Sequence, residues 1–117
     1  METAIFSKET INNDIVIITV NLSRATMSSA PQFRDYAMEL IDEGTKKIIA
    51  NLSFCDFMDS SFLGALVAVL KKLKSIQGDM KVVITHSIPE GILSLTKMDK
   101  VFSVYKSLEE AKQSFND

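Results

Sequence analysis

Strand-like runs of β-branched residues alternate with segments of helical periodicity along most of this 117-residue chain. The strongest run, 15–20 (IVIITV), is β-branched throughout, which is typical of a strand, and we do not expect it at an exposed edge of the sheet. A weaker run, 5–9, precedes it, and Asn12, Asn13 and Asp14 lie between the two. These residue types favour a tight turn, so we predict that the chain opens with a β-hairpin.

Beyond the hairpin, predicted helices and strands follow one another at short spacing. Their order, β-β-α-β-α-β-α-β-α, indicates right-handed crossovers onto a mainly parallel sheet. We expect an α/β fold with a mixed, mainly parallel sheet of about five strands, flanked by four helices on one side, in a single domain over 1–117. The predicted helices lie near 29–44, 59–78, 89–95 and 107–115, and the later strands at 47–52, 80–85 and 101–105.

Composition excludes several classes of function. The chain has 13 basic and 15 acidic residues, so it lacks the basic surface that binding to a nucleic-acid backbone requires. Its single cysteine and single histidine exclude an internal disulfide and a Cys/His zinc site. No apolar run approaches the ~20 residues of a membrane span, and no signal peptide is evident. We expect a cytoplasmic monomer or weak dimer that binds neither nucleic acid nor membrane and needs no cofactor or metal.

The most informative segment, 56–64 (DFMDSSFLG), joins a predicted strand to the N-terminus of the most apolar helix. Asp59, Ser60 and Ser61 there lie at the positive end of a helix dipole, beside unpaired backbone N–H groups. Phe62 is expected to be exposed and to contribute to a partner surface. The structural alternative is that Asp59 or Ser60 only caps the helix while a neighbouring apolar side chain packs against it.

The sequence DSS at 59–61, followed by LG at 63–64, resembles the phosphorylation loop of the STAS domain, a family that includes the bacterial anti-sigma factor antagonists. The likeness covers essentially the whole chain, because its length and order of elements also match. Two places depart from the family pattern. Phe62 stands where the family has a glycine, and 23–26 (SRAT) lacks the glycine and aspartate of the usual Gly-x-Leu-Asp motif.

The resemblance implies a regulatory binding protein and no enzymatic activity. Ser60 occupies the phosphoacceptor position, and the unmodified chain would bind a serine-kinase anti-sigma factor, which phosphorylates Ser60 and is thereby released. A phosphoserine phosphatase is implied as a further partner. We expect Ser60 to lie within reach of a kinase and Ser61 to point toward the domain. The predicted partner contacts are Thr26, Asp56, Met58, Asp59, Ser61 and Phe62.

Other interpretations remain open at this stage. The same fold could be a scaffold or accessory subunit of a stressosome-type or lipid-transport assembly, which Phe62 and the altered segment 23–26 favour. A domain phosphorylated on aspartate would need an acidic pair after the first parallel strand, and the chain supplies none there. A serine hydrolase would depend on His86 alone and would lack the Gly-x-Ser-x-Gly motif.

Overall fold

Strands and helices alternate along residues 4–116, the part of the chain that the computed structural model describes. The described strands are β1 (Phe6–Ile11), β2 (Ile15–Val20), β3 (Arg24–Ala25), β4 (Lys47–Asn51), β5 (Phe57–Met58), β6 (Asp79–Val83) and β7 (Ser103–Tyr105). The described helices are α1 (Ala30–Asp42), α2 (Ser60–Ser75), α3 (Ser87–Leu95) and α4 (Leu108–Ser114), with a 3-10 turn at Met98–Lys100.

The main sheet has five strands in the order β1-β2-β4-β6-β7. β1 and β2 are antiparallel, and every other neighbouring pair is parallel. The hairpin turn holds Asn12 and Asn13 at φ values of 52° and 68°, a left-handed conformation that asparagine tolerates. The predicted hairpin and the interior position of β2 are therefore confirmed, as is the mixed, mainly parallel sheet.

Both faces of the sheet are covered, but by different helices. Val16 and Ile18 of β2 belong to the large core that also includes the buried faces of α1 and α2. Ile15 and Ile17 point the other way and pack in a smaller cluster with Ala111 of α4. The expectation that all helices lie on one side is wrong for α4, because a strand that is apolar on both faces needs cover on both.

A second, two-stranded sheet lies where the chain leaves the carboxyl ends of β2 and β4. β3 and β5 pair in parallel, with Arg24 opposite Phe57 and Ala25 opposite Met58. From the sequence both segments are expected to be loops, because two residues are too few for a periodic pattern. This small sheet joins the loop before α1 to the loop before α2, and it positions the candidate site.

Candidate functional site

Asp59 fixes the first turn of α2. Its backbone is extended, and its Oδ1 accepts a hydrogen bond of 3.0 Å from the backbone N–H of Phe62. Its Oδ2 accepts a second bond, of 2.9 Å, from the N–H of Met27 in the loop before α1. The predicted cap is confirmed, and the carboxylate also links two loops. Both Asp59 oxygens are engaged in the fold, and the residue is half-buried, so its predicted partner contact stays a prediction.

Ser60 and Ser61 are the first two residues of α2, and both are exposed. Ser60 therefore presents its side chain at the helix N-terminus, as expected. The expectation that Ser61 points toward the domain is wrong. Ser61 lines an open groove of about 430 Å³ between α1 and α2, which Ala30 and Gly64 also line. The first residue of α2 with a buried side chain is Phe62, which follows the two serines.

Phe62 is fully buried, so the prediction that it is an exposed partner contact is wrong. Its ring centroid lies 5.2 Å from that of Phe33, on the buried face of α1. The buried positions Leu66, Val69 and Leu73 continue the line that Phe62 begins. Spacings of four, three and four place all of them on one helical stripe. The prediction of an exposed Phe62 assumes that the apolar stripe begins at Leu63, which is one residue too late.

Met58 is also fully buried, and its predicted partner contact is wrong as well. Neighbouring residues of a strand point to opposite sides, so Met58 and Ala25 face the core while Phe57 and Arg24 face outward. The guanidinium carbon of Arg24 lies 4.1 Å from the centroid of the Phe57 ring, a cation–π contact.

The two remaining predicted contacts differ in exposure. Asp56 is exposed in the loop before β5, so it is available to a partner. Thr26 is half-buried, and its carbonyl oxygen accepts bonds of 3.0 Å from the N–H groups of Ser29 and Ala30 at the start of α1. Its hydroxyl lies 2.9 Å from that of Ser28. Thr26 therefore shapes the loop that contacts Asp59, with only part of its surface accessible.

Three exposed residues around this edge of the sheet were missed. Phe54 is 61% exposed in the loop after β4, and Met27 is 70% exposed before α1. Arg24, also exposed, completes the set. Phe54 lies in a loop directly after a strand, and no helix follows at once that could bury its side chain. This position in the sequence is the signal that could have identified Phe54 as exposed. Met27 and Arg24 needed the pairing of β3 with β5, which the sequence did not reveal.

Cys55, in the same loop, is poorly placed to act as a nucleophile. It is buried, and this burial, reinforced by the charge of Asp56, raises the pKa of its thiol to about 11 from a usual 9.0. The reactive thiolate is therefore scarce near neutral pH. Within residues 4–116, no cluster of His, Cys, Asp and Glu side chains could hold a metal ion. No helix in the described part of the chain is long and apolar enough to cross a membrane.

Comparison with known proteins agrees with this architecture. The STAS domain family is matched over residues 8–111. A Thermotoga maritima protein named as a candidate anti-sigma factor antagonist is 31% identical over 104 residues, covering 88% of this chain and 91% of that protein. The crystal structure of an anti-sigma factor antagonist from Mycobacterium paratuberculosis superposes with a TM-score of 0.86 at 22% identity, covering 96% of this chain and 93% of that one. The phosphorylated form of the Bacillus cell fate determinant SpoIIAA gives 0.73 at 20% identity, covering 94% and 98%.

Proposed function

We propose that this chain, which belongs to the STAS domain family, is an anti-sigma factor antagonist whose partner binding is switched off by phosphorylation of Ser60. The unmodified chain binds a serine-kinase anti-sigma factor and so frees the sigma factor that the kinase had held. The kinase transfers the γ-phosphoryl group of its own ATP to the Ser60 oxygen, leaving ADP. A phosphoserine phosphatase restores the binding form by hydrolysis.

The position of Ser60 supports the proposal. It is exposed at the first residue of a 16-residue helix, and Asp59 rather than Ser60 provides the cap. Within residues 4–116 the Ser60 hydroxyl has no hydrogen-bond partner, so a kinase can use it without breaking a contact of the fold. The accessible hydroxyl at this point is the observation on which the proposal depends.

The same position explains how a phosphate would change binding while the domain stays folded. Backbone N–H groups and the dipole at the start of α2 stabilise an added phosphate. The phosphate adds roughly −1.5 to −2 charges close to the exposed carboxylate of Asp56. A partner surface that fits the neutral serine would then meet a strongly acidic and hydrated group. The switch therefore acts through surface charge.

The scaffold alternative is now less favoured. It drew on two departures from the family pattern, Phe62 and the segment 23–26. Phe62 is a buried core residue, so it does not change the partner surface. Only 23–26 still distinguishes this surface, and it does so through the exposed Ser23 and Arg24 and the partly exposed Thr26.

The direct test incubates the purified chain with the serine-kinase anti-sigma factors of its source organism and ATP, followed by mass spectrometry. We expect one phosphate on Ser60, none on Ser60→Ala, and normal modification of Ser61→Ala, its matched control. Ser60→Ala should still bind the kinase, and Ser60→Asp should bind it more weakly than Ser60→Ala. Phosphate on Ser61, or modification of Ser60→Ala at the parent rate, would show that the site is wrongly assigned.

A further inference from the structure

We propose that Arg24 selects the partner by binding a carboxylate on the partner's docking surface. The inference rests on the proposed function and adds to it the chemistry that the docking surface must carry. It follows from how Arg24 is held, from the absence of a competing carboxylate, and from its place beside Ser60.

Arg24 is held in place before any partner arrives. The parallel pairing of β3 with β5 sets it opposite Phe57, and its guanidinium lies 4.1 Å from the centre of the Phe57 ring. A guanidinium whose central carbon lies over a ring still has N–H groups that can donate to a carboxylate. Because the side chain is already ordered, less conformational entropy is lost on binding.

No carboxylate of the described chain occupies this guanidinium. The ion pairs within residues 4–116 join lysines to acidic residues, and none includes Arg24. Asp56 precedes Phe57 in the sequence and is exposed, yet it does not pair with Arg24. The positive charge is therefore available at the surface, and arginine is among the residue types that most often dominate binding energy.

The location of Arg24 ties this charge to the switch. β5, the strand that pairs with Arg24, ends at Met58, and the next two residues are the cap Asp59 and the phosphoacceptor Ser60. The cap itself is bonded to Met27, in the loop that follows β3. A kinase that reaches the Ser60 hydroxyl must approach the loops that hold Arg24. A carboxylate there would pair with Arg24, and the partner would be excluded if it carried a lysine or arginine instead.

The experiment compares binding of three variants to the purified kinase that phosphorylates Ser60, without nucleotide, by isothermal titration calorimetry. Arg24→Glu should weaken binding about tenfold or more, because it puts like charges together. Arg24→Lys should lie between Arg24→Glu and the parent, since it keeps the charge but loses the planar, forked donor. Lys71→Glu is the control, with an equal charge change on the exposed surface of α2, ~16 Å along the helix axis from Ser60. It should bind like the parent.

Two further measurements identify the partner group. A single Asp→Arg or Glu→Arg change on the kinase should restore binding of Arg24→Glu, and higher salt should weaken the parent complex more than the Arg24→Glu complex. If Arg24→Glu binds as tightly as the parent, the inference fails while the proposed function stands. If the Arg24 effect appears only when ATP is present, Arg24 binds a nucleotide phosphate and the carboxylate assignment is wrong. If no serine-kinase anti-sigma factor binds the parent chain, the proposed function itself fails.

Discussion

Replacement of Phe62 by alanine removes the largest side chain that α2 places against α1. Phe62 is fully buried, and its ring packs at 5.2 Å from Phe33. The loss combines the transfer free energy of the aromatic ring with the cost of the cavity left between the helices. Substitutions of this kind lower the free energy of unfolding by about 3–5 kcal/mol. Small domains have only ~5–15 kcal/mol in total, so Phe62→Ala should be folded but close to the limit of stability.

Urea denaturation monitored by far-UV circular dichroism measures this loss in the free energy of unfolding. The chain also offers a matched control. Phe54 is 61% exposed, so Phe54→Ala makes the same chemical change at the surface and should alter the free energy of unfolding by less than about 0.5 kcal/mol. The slope of the unfolding curve should stay the same for all three proteins. A loss below about 1 kcal/mol for Phe62→Ala, or equal losses at both positions, would refute the burial of Phe62 between α1 and α2.

Two further predictions concern the same loops. Asp59→Ala should lower the free energy of unfolding by about 1–2 kcal/mol, and Asp59→Asn by less, because asparagine keeps the cap to Phe62 but cannot accept the bond from Met27 through its amide nitrogen. An Asp59→Asn midpoint equal to the parent's would show that the Met27 bond contributes nothing, and equal midpoints for the two variants would show the same for the Phe62 cap. Burial raises the pKa of the Cys55 thiol to about 11, so folding favours the protonated thiol. Ionisation of the Cys55 thiol should not change the free energy of unfolding below pH 9. Between pH 9 and 11 that free energy should fall more steeply in the parent than in Cys55→Ala, as urea midpoints at pH 8 and pH 10 will show.

Elements with a strong local signal were predictable from the sequence. The β-branched run of β2 and the asparagine turn before it form the hairpin as expected. The Ser-x-x-Glu pattern at 107–110 predicts a cap at the start of α4, and the Ser107 hydroxyl accepts the expected bond of 3.1 Å from the N–H of Glu110. The Glu110 carboxylate accepts a bond of 3.1 Å from the same hydroxyl. In each case the residues that determine the structure lie within a few positions of one another.

Features that depend on contacts between distant segments were not predictable. The sequence shows that α4 has an apolar face but not which side of the sheet it covers. The side is determined by the residues of β2 and β4 that point away from α1 and α2. The pairing of β3 with β5 joins segments 33 positions apart, at only two residue pairs. The orientation of Met58 followed from that pairing. The error at Phe62 has a different cause. The spacing of Phe62 from Leu66 and Val69 is visible in the sequence, but the predicted apolar stripe of α2 covers too narrow an arc of the helix to include Phe62.

The first turn of α2 separates the core from the proposed phosphorylation site within a few residues. Ser60 and Ser61 face solvent, Phe62 enters the core, and Asp59 ties the turn to the loop before α1. A phosphate on Ser60 would therefore change the surface charge while packing and hydrogen bonds keep the first turn of α2 in place. Of the two departures from the family pattern, Phe62 is absorbed between α1 and α2, where a partner cannot contact it. The other departure is the segment 23–26, and its charged, exposed residue is Arg24, on which the proposal for partner choice rests.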